Sequence, residues 1–203
     1  IAFPPDDVAA RLAAFAPALD QVVAAKELDR NLLVGSWNLR AFGGLTKKWQ
    51  SADDDSPQRD LADVMAIAAV LSRFDVVAVQ EVRSDLRALR HLLKALGPDW
   101  GFTLTDVTKG PAGNDERMAF LFDTRRVTPS GLACEIVMPE GDPRVSPAAF
   151  TRQFARTPYA VSFTSAGKTF ILVTLHVIYG KAASDRVGEL IAIAQWLAGW
   201  ANE

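Results

Sequence analysis

Polar side chains capable of chemistry occur at the ends of four segments that otherwise read as apolar strands. They are Asn38 in GSWNLRAF, Gln80 and Glu81 in AVQEVRS, Glu116 in NDERMAFLF, and His176 in VTLHVIYG. Carboxylates and amides supply oxygen ligands for divalent cations, and histidine transfers protons near neutral pH. Polar groups beside a dry core cost free energy unless they are paired or bind something. Each residue alone also has an ordinary explanation, as a cap, a surface salt bridge, a solvated turn or a satisfied histidine.

Alternating helix and strand patterns must position these residues. Helical spacing of apolar residues predicts helices before the first strand, between the first two strands, and after the second, where Gly97-Pro98 ends the pattern. Five further strand segments follow, the last two joined by a turn at residues 165–168. A closing helix is expected to begin near Ser184 and to bury Val187, Leu190, Ile191, Ala194, Leu197 and Ala201. Strands as apolar as VVAVQEV predict a sheet covered on both faces.

Composition limits the classes of protein that are possible. The chain has 203 residues, 49% of them hydrophobic, which predicts one sizeable core. A net charge of −2 argues against binding nucleic acid through overall positive charge, although a local basic groove stays open. The single Cys134 is expected to be a small buried apolar residue. No apolar run is long enough to span a bilayer and no leader is visible, but the chain opens at Ile1, so the compartment stays undetermined.

Taken together, the motifs resemble a known superfamily. Trp-Asn, Gln-Glu-Val-Arg, Glu-Arg-x-x-Phe-Leu-Phe, Arg-x-Pro and Leu-His occur in this order, each beside a strand. This order is similar to that of the endonuclease/exonuclease/phosphatase superfamily, and closest to its deoxyribonuclease I branch. The resemblance covers about Leu32 to Trp200 and implies an α+β fold, a four-layer α/β/β/α sandwich of two mixed sheets. We expect residues 1–31 to form an N-terminal helical extension and residues 32–203 to be the N-terminal part of the catalytic domain.

The resemblance also implies roles for individual residues. Glu81 would be the main ligand of Mg²⁺, with Mn²⁺ or Ca²⁺ as alternatives, and Asn38 would lie close to the metal and the scissile phosphate. His176 would be the catalytic histidine, oriented by Glu116, which is expected to raise its pKa. Arg156 would contact phosphate through its planar fork of donors.

Arg83, two residues after Glu81, matches an arginine that reaches into the DNA minor groove in the deoxyribonuclease branch. The alternative is a solvent-facing guanidinium at the start of a helix. Nucleic acid is therefore the expected partner and a metal-dependent DNA endonuclease the expected function, with the choice between endo- and exonuclease left open. A phosphomonoesterase or lipid phosphodiesterase of the same superfamily is the alternative, and a non-catalytic binding protein of the same fold is the third reading.

Two motifs of the superfamily are missing from these 203 residues. Neither Gly-Asp-x-Asn nor the closing Asp-His pair is present; Gly141-Asp142 is followed by Pro143-Arg144. We therefore expect a C-terminally incomplete domain that by itself hydrolyses little or nothing. We also expect a broad apolar face of the first sheet, covered by the missing C-terminal half, another copy or a partner.

Overall fold

The first sheet is mixed and has four strands. The computed structural model describes residues 3–109, 114–138 and 154–201. The strands of the first sheet are β1 (Val34–Phe42), β2 (Val76–Arg83), β3 (Trp100–Leu104) and β4 (Glu116–Asp123), in the spatial order β1-β2-β4-β3. β1 and β2 run parallel, whereas β4 is antiparallel to both of its neighbours. The almost wholly apolar β2 therefore lies inside the sheet, where both of its faces are buried.

The second sheet contains three described strands, all antiparallel. They are β5 (Thr128–Glu135), β6 (Tyr159–Ser165) and β7 (Lys168–Thr174), in that spatial order. The predicted turn between β6 and β7 is present. Ala166 (φ 47°) and Gly167 (φ 74°) both have left-handed backbone, as the tightest hairpin turns require.

Helices cover the outer face of each sheet. α1 (Asp6–Val22), α2 (Leu61–Leu71) and α3 (Arg87–Leu96) lie on the side of the first sheet, and α4 (Val187–Ala201) follows a short 3₁₀ helix, Ala183–Arg186. α2 and α3 share one apolar cluster with β1, β2 and β4. A second cluster joins the two sheets, and a third joins α4 to the second sheet. The predicted α+β sandwich is thus confirmed.

Local sequence signals explain where several of these helices begin and end. Asp60 caps α2 by accepting a hydrogen bond from the backbone N–H of Asp63, whose side chain returns the bond. Gly97 ends α3 with left-handed backbone (φ 95°), as the Gly-Pro signal predicted. α1 packs beside α2, but it buries only Val8 and Leu19, and Pro17 lies inside a single continuous helix.

Two expectations about burial are wrong. α4 buries Ala192, Ile193 and Trp196 against the second sheet, while the expected core residues Val187, Leu190 and Ile191 are 42–48% exposed. Apolar residues occupy nearly every side of this helix, so their spacing does not identify the buried face. Cys134 is exposed rather than buried, because it lies on the outermost described strand of the second sheet.

Candidate active site

Strand direction brings the predicted residues to one rim of the sandwich. In the first sheet, Arg83 near the end of β2 is paired with Glu116 at the start of β4. In the second sheet, Thr174 at the end of β7 is paired with Tyr159 at the start of β6. His176 follows β7 and Arg156 precedes β6, so both lie at the same end of the second sheet.

Gln80 joins the two sheets at this rim. Its side-chain Nε2 donates hydrogen bonds to Thr174 Oγ1 (2.9 Å) and Ser36 Oγ (3.3 Å). Gln80 and Thr174 are both buried. Glu81 directly follows Gln80 and His176 is two residues beyond Thr174, so this bond holds the segments that carry Glu81 and His176 close together. The amide beside the Glu81 carboxylate therefore tethers one sheet to the other.

The backbone at Glu81 departs from regular strand geometry. Glu81 has a left-handed conformation (φ 61°), and the pairing of β2 with both neighbours shifts register around it. Arg40 (φ 46°) and Ala41 (φ 52°) in β1 are left-handed as well. Such strained bulges are common beside active sites, where they redirect a side chain. Here the bulge aims the Glu81 carboxylate at Asn38 rather than along the sheet.

Asn38 and Glu81 form a hydrogen-bonded pair. Asn38 Nδ2 donates to Glu81 Oε1 (2.7 Å), and the backbone N–H of Ala41 donates to Glu81 Oε2 (2.9 Å). Partial burial acts to raise the pKa of Glu81, but these two donors, with the charges of His176 and Arg83, lower it overall. Glu81 is therefore a carboxylate at neutral pH.

The Glu81 carboxylate and the Asn38 amide fit a magnesium ion better than a cation whose ligands must all come from the protein. Among the described residues, no group of three or more His, Cys, Asp or Glu side chains is arranged to hold a metal. Mg²⁺ requires less, since it is usually bound by one or two carboxylates together with water and substrate phosphates. Each Glu81 oxygen keeps a lone pair beyond the hydrogen bond it accepts. Asn38 Oδ1 is engaged by the backbone N–H of Arg40 (2.8 Å), so Glu81 is the more available ligand.

Glu116 is a buried carboxylate shared by several polar groups. Its Oε2 lies 2.5 Å from Arg156 Nε and 3.2 Å from His176 Nδ1. Its Oε1 accepts a hydrogen bond from Asn114 Nδ2 (2.7 Å) and lies 3.5 Å from Arg83 Nη2. The Glu116 side chain is only 2% exposed, so these groups are its main compensation for lost water. Asn114 donates a hydrogen bond, whereas Arg156 Nε and His176 Nδ1 face Oε2 without hydrogen-bond geometry, and Arg156 contributes through its charge.

His176 lies between the two carboxylates. Its Nδ1 faces Glu116 and its Nε2 lies 3.9 Å from Glu81 Oε1. The expected increase in its pKa is wrong. Burial lowers the pKa of His176, and the charge of Arg156 lowers it further, which outweighs the opposite effect of Glu116 and Glu81. The ring is therefore mainly neutral at pH 7, and a proton on Nδ1 would point to Glu116.

Arg83 is not the solvated side chain of the alternative reading. Besides its approach to Glu116, it donates a hydrogen bond from Nη1 to the carbonyl of Asn114, and its side chain is 27% exposed. Asn114 thus contacts both Arg83 and Glu116, a role that the sequence did not indicate. The left-handed backbone of Asn114 (φ 56°) brings it back toward the start of β4, and the sequence alone does not specify such a conformation.

Glu189 is a second residue that sequence reasoning missed. It lies in the first turn of α4, where an acidic residue ordinarily signals only a favourable interaction with the helix dipole. In the structure it is buried and accepts hydrogen bonds from backbone N–H groups in the two segments that carry Arg156 and His176.

Known proteins share both the sequence pattern and the fold. No family model matches the chain. A deoxyribonuclease of Thioalkalivibrio sp. (strain K90mix) is 30% identical over 176 residues, which cover 83% of this chain and 42% of that protein. Bovine deoxyribonuclease-1 is 28% identical over 176 residues, covering 81% of this chain and 53% of that protein. An endonuclease/exonuclease/phosphatase family protein from Bacteroides thetaiotaomicron has a TM-score of 0.56 at 18% identity, covering 83% of this chain and 58% of that one.

The similarity to these two deoxyribonucleases, together with the shared fold, supports membership in the endonuclease/exonuclease/phosphatase superfamily. The resemblance seen in the sequence, including its deoxyribonuclease I-like branch, is confirmed. The chain spans about half the length of the two deoxyribonucleases, 42% and 53%. Among the residues described here, no helix has the length and apolar character needed to cross a membrane.

Proposed function

We propose that the protein is a divalent-metal-dependent phosphodiesterase that cleaves DNA as an endonuclease. One observation carries the proposal: the Asn38–Glu81 pair lies beside His176, which contacts the same Glu116 oxygen as Arg156. The site thus combines an accessible carboxylate, a histidine held by a second carboxylate, and a guanidinium. Phosphodiester hydrolysis needs a charge for the phosphate, a proton carrier and fixed geometry. The similarity to two deoxyribonucleases supports DNA as the substrate.

Glu81 would hold the cation, with Asn38 keeping the carboxylate in place. When bound, the cation would polarise the phosphoryl group and stabilise charge on its oxygens. Asn38 adds no charge, so the Glu81–Asn38 pair leaves the cation a net positive charge toward a phosphate. The lowered pKa of Glu81 keeps the ligand ionised at neutral pH.

His176 would move a proton at Nε2. With Nδ1 facing the Glu116 carboxylate, a proton on Nδ1 would be favoured, which leaves Nε2 on the side of Glu81. Because the ring is mainly neutral at pH 7, it would first take up a proton at Nε2 from solvent and then give it to the leaving oxygen. The lowered pKa of His176 makes that second transfer more favourable. Glu116 does not itself take up the proton in this scheme; it orients the ring.

Arg156 and Arg83 would contact the nucleic acid. Arg156 has its Nε against Glu116, which orients its planar group at the rim next to His176. A guanidinium in that position would bind a phosphate through two parallel donors. Arg83 lies on the outer side of Glu116 with its side chain partly exposed, and we assign it to the minor groove beside the scissile bond.

The test is an assay of the full-length protein, meaning the whole product of the reading frame that contains these 203 residues. It would be offered supercoiled plasmid, phosphoinositides, sphingomyelin vesicles and p-nitrophenyl phosphate, each with Mg²⁺ and with EDTA. We expect nicked circles in Mg²⁺ and none in EDTA. Nicking also identifies an endonuclease, because a closed circle has no ends on which an exonuclease could act. Release of phosphate or lipid headgroups without nicking would overturn the DNA assignment, and undiminished nicking in EDTA would overturn the metal dependence.

A further inference from the structure

Glu189 lies behind the site and accepts two hydrogen bonds from distant parts of the chain. Its Oε1 accepts from the backbone N–H of Ala155 and its Oε2 from that of Ile178, both at 2.8 Å. Ala155 directly precedes Arg156, and Ile178 is two residues beyond His176. One buried carboxylate in α4 therefore bonds to both segments that carry the second sheet's contribution to the site.

A carboxylate is specifically suited to this arrangement. Two N–H donors approach two different oxygens, and only an ionised carboxylate offers an acceptor at both positions. A glutamine would keep one acceptor oxygen, but its NH₂ group would face the second backbone N–H, so that two donors would meet. An acid that only complements the helix dipole needs neither burial nor long-range bonds.

The two bonded segments meet again at Glu116. Arg156 Nε and His176 Nδ1 lie 2.5 Å and 3.2 Å from the same Glu116 oxygen, Oε2. A shift of either segment by about 1 Å would break its contact, and misplacements of that size lower catalytic rates by about 100-fold. Glu189 is therefore placed to set both side chains at once from α4, which packs on the second sheet, while Glu116 contacts them from the first sheet.

We propose that Glu189 is a positioning residue. It holds the segments around Arg156 and His176 where both side chains contact the Glu116 carboxylate. The proposal rests on the proposed function, because it assigns Arg156 and His176 to the reaction. Glu189 itself does not touch the substrate; it acts through these two residues. It supplies the rigid support that a site built on two loops needs.

The test compares Glu189→Gln with Leu190→Ala in the full-length protein. Leu190 is the next residue of α4 and is exposed, so its variant controls for general damage to the helix. NMR at a fixed pH of about 8 measures the hydrogen exchange of the Ala155 and Ile178 amides and the ring signals of His176. The ring signals that disappear in the His176→Gln spectrum are those of His176. Far-UV circular dichroism establishes that both variants are folded.

We expect Glu189→Gln to speed exchange of both amides at least tenfold, to move the His176 signals, and to lower kcat by about 10- to 100-fold. In a His176→Gln background the same substitution should lower kcat by a clearly smaller factor than in the wild-type background, because only the part of its effect that acts through Arg156 remains. A purely structural role predicts equal losses in both backgrounds.

Unchanged exchange and ring signals in Glu189→Gln would overturn the proposal whatever the activity. Equal kcat losses in both backgrounds, or no loss at all, would overturn it as well. A wild-type protein without phosphodiesterase activity would instead refute the proposed function, while the NMR comparison would still decide whether Glu189 positions the two segments.

Discussion

The Glu116 carboxylate is almost fully buried, and each of its oxygens faces a different part of the site. Oε2 faces Arg156 and His176, and Oε1 faces Asn114 and Arg83. A buried charge with this many donors is stabilised only while the donors stay in place. Glu116 therefore couples His176 to both arginines.

Replacing Glu116 with glutamine should damage both stability and activity. The substitution removes the charge opposite Arg156 and turns an amide N–H₂ toward donors. We expect the free energy of unfolding to fall by about 2 kcal/mol and the nicking rate by at least about 100-fold. Urea unfolding and plasmid nicking measure the two effects. Glu27→Gln is the control: the Glu27 side chain is exposed, and its one ion pair among the described residues is with the exposed Arg30, so a near-neutral result is expected. Wild-type behaviour of Glu116→Gln would contradict this role.

The lowered pKa of His176 gives stability a defined pH dependence. The unfolded chain binds a proton at His176 near pH 6.5, whereas the folded protein does so only at lower pH. Between these values the unfolded state holds more protons, so the free energy of unfolding falls as the pH falls. In metal-free buffer, the wild type should lose more stability than His176→Gln between about pH 7 and pH 5. Parallel curves for the two proteins in urea unfolding would show that the ring is not buried as described.

At the scale of elements, the strands were more predictable than the helix faces. Apolar runs with polar ends were enough to place Glu116 at the start of β4 and His176 just after β7. Asn38 was expected near the end of its strand, but β1 continues to Phe42, because the chain stays paired with β2 beyond the bulge. The inward face of α4 was not predictable, since its apolar residues surround the helix. The left-handed bulge at Glu81 was not predictable either, because tertiary contacts rather than a local glycine hold it there.

A buried ion-pair network fixes the strand ends opposite the site. Asp75, fully buried just before β2, accepts hydrogen bonds from Arg126 Nε (3.0 Å) and the backbone N–H of Leu33 (2.8 Å). Lys26 Nζ lies 3.4 Å from the same carboxylate. This network orients β2 as it enters the sheet.

Replacing Asp75 with asparagine should destabilise the fold without touching the site. Arg126 would lose its buried counter-ion, and breaking such a pair costs about 3 kcal/mol. Urea unfolding measures this loss against Asp29→Asn, an exposed matched control. Nicking by the folded fraction of Asp75→Asn should be unchanged. An unfolding free energy equal to that of wild type would show that the network is not a determinant of stability.

At the scale of the whole molecule, β1 is the least covered strand of the first sheet. Val34, Ser36 and Asn38 are exposed, and they alternate with residues that face the helices. β1 lies at one edge of the first sheet and β7 at one edge of the second. The central strands β2 and β4 are covered on both faces, so the uncovered area is narrower than the broad apolar face expected from the sequence.

Exposed strand edges favour pairing with another chain. We expect the 203-residue chain to self-associate through the exposed edge at β1. Its average mass in sedimentation equilibrium should then rise above 22.0 kDa as the concentration increases. Val34→Lys, which places a charge on the edge, should shift the chain toward the monomer. A monomer at all concentrations up to about 100 μM would contradict the prediction.

The claim that Glu81 and its neighbours form a metal-dependent phosphodiesterase site is tested most directly by the plasmid-nicking rate of the full-length Glu81→Gln protein in Mg²⁺. Loss of the carboxylate should lower the rate by at least about 100-fold, since metal stabilisation of the phosphoryl group contributes several kcal/mol. His91→Gln, a change of the other histidine, located in α3, should leave the rate within about twofold of wild type. A folded Glu81→Gln protein that nicks plasmid at the wild-type rate would contradict the account.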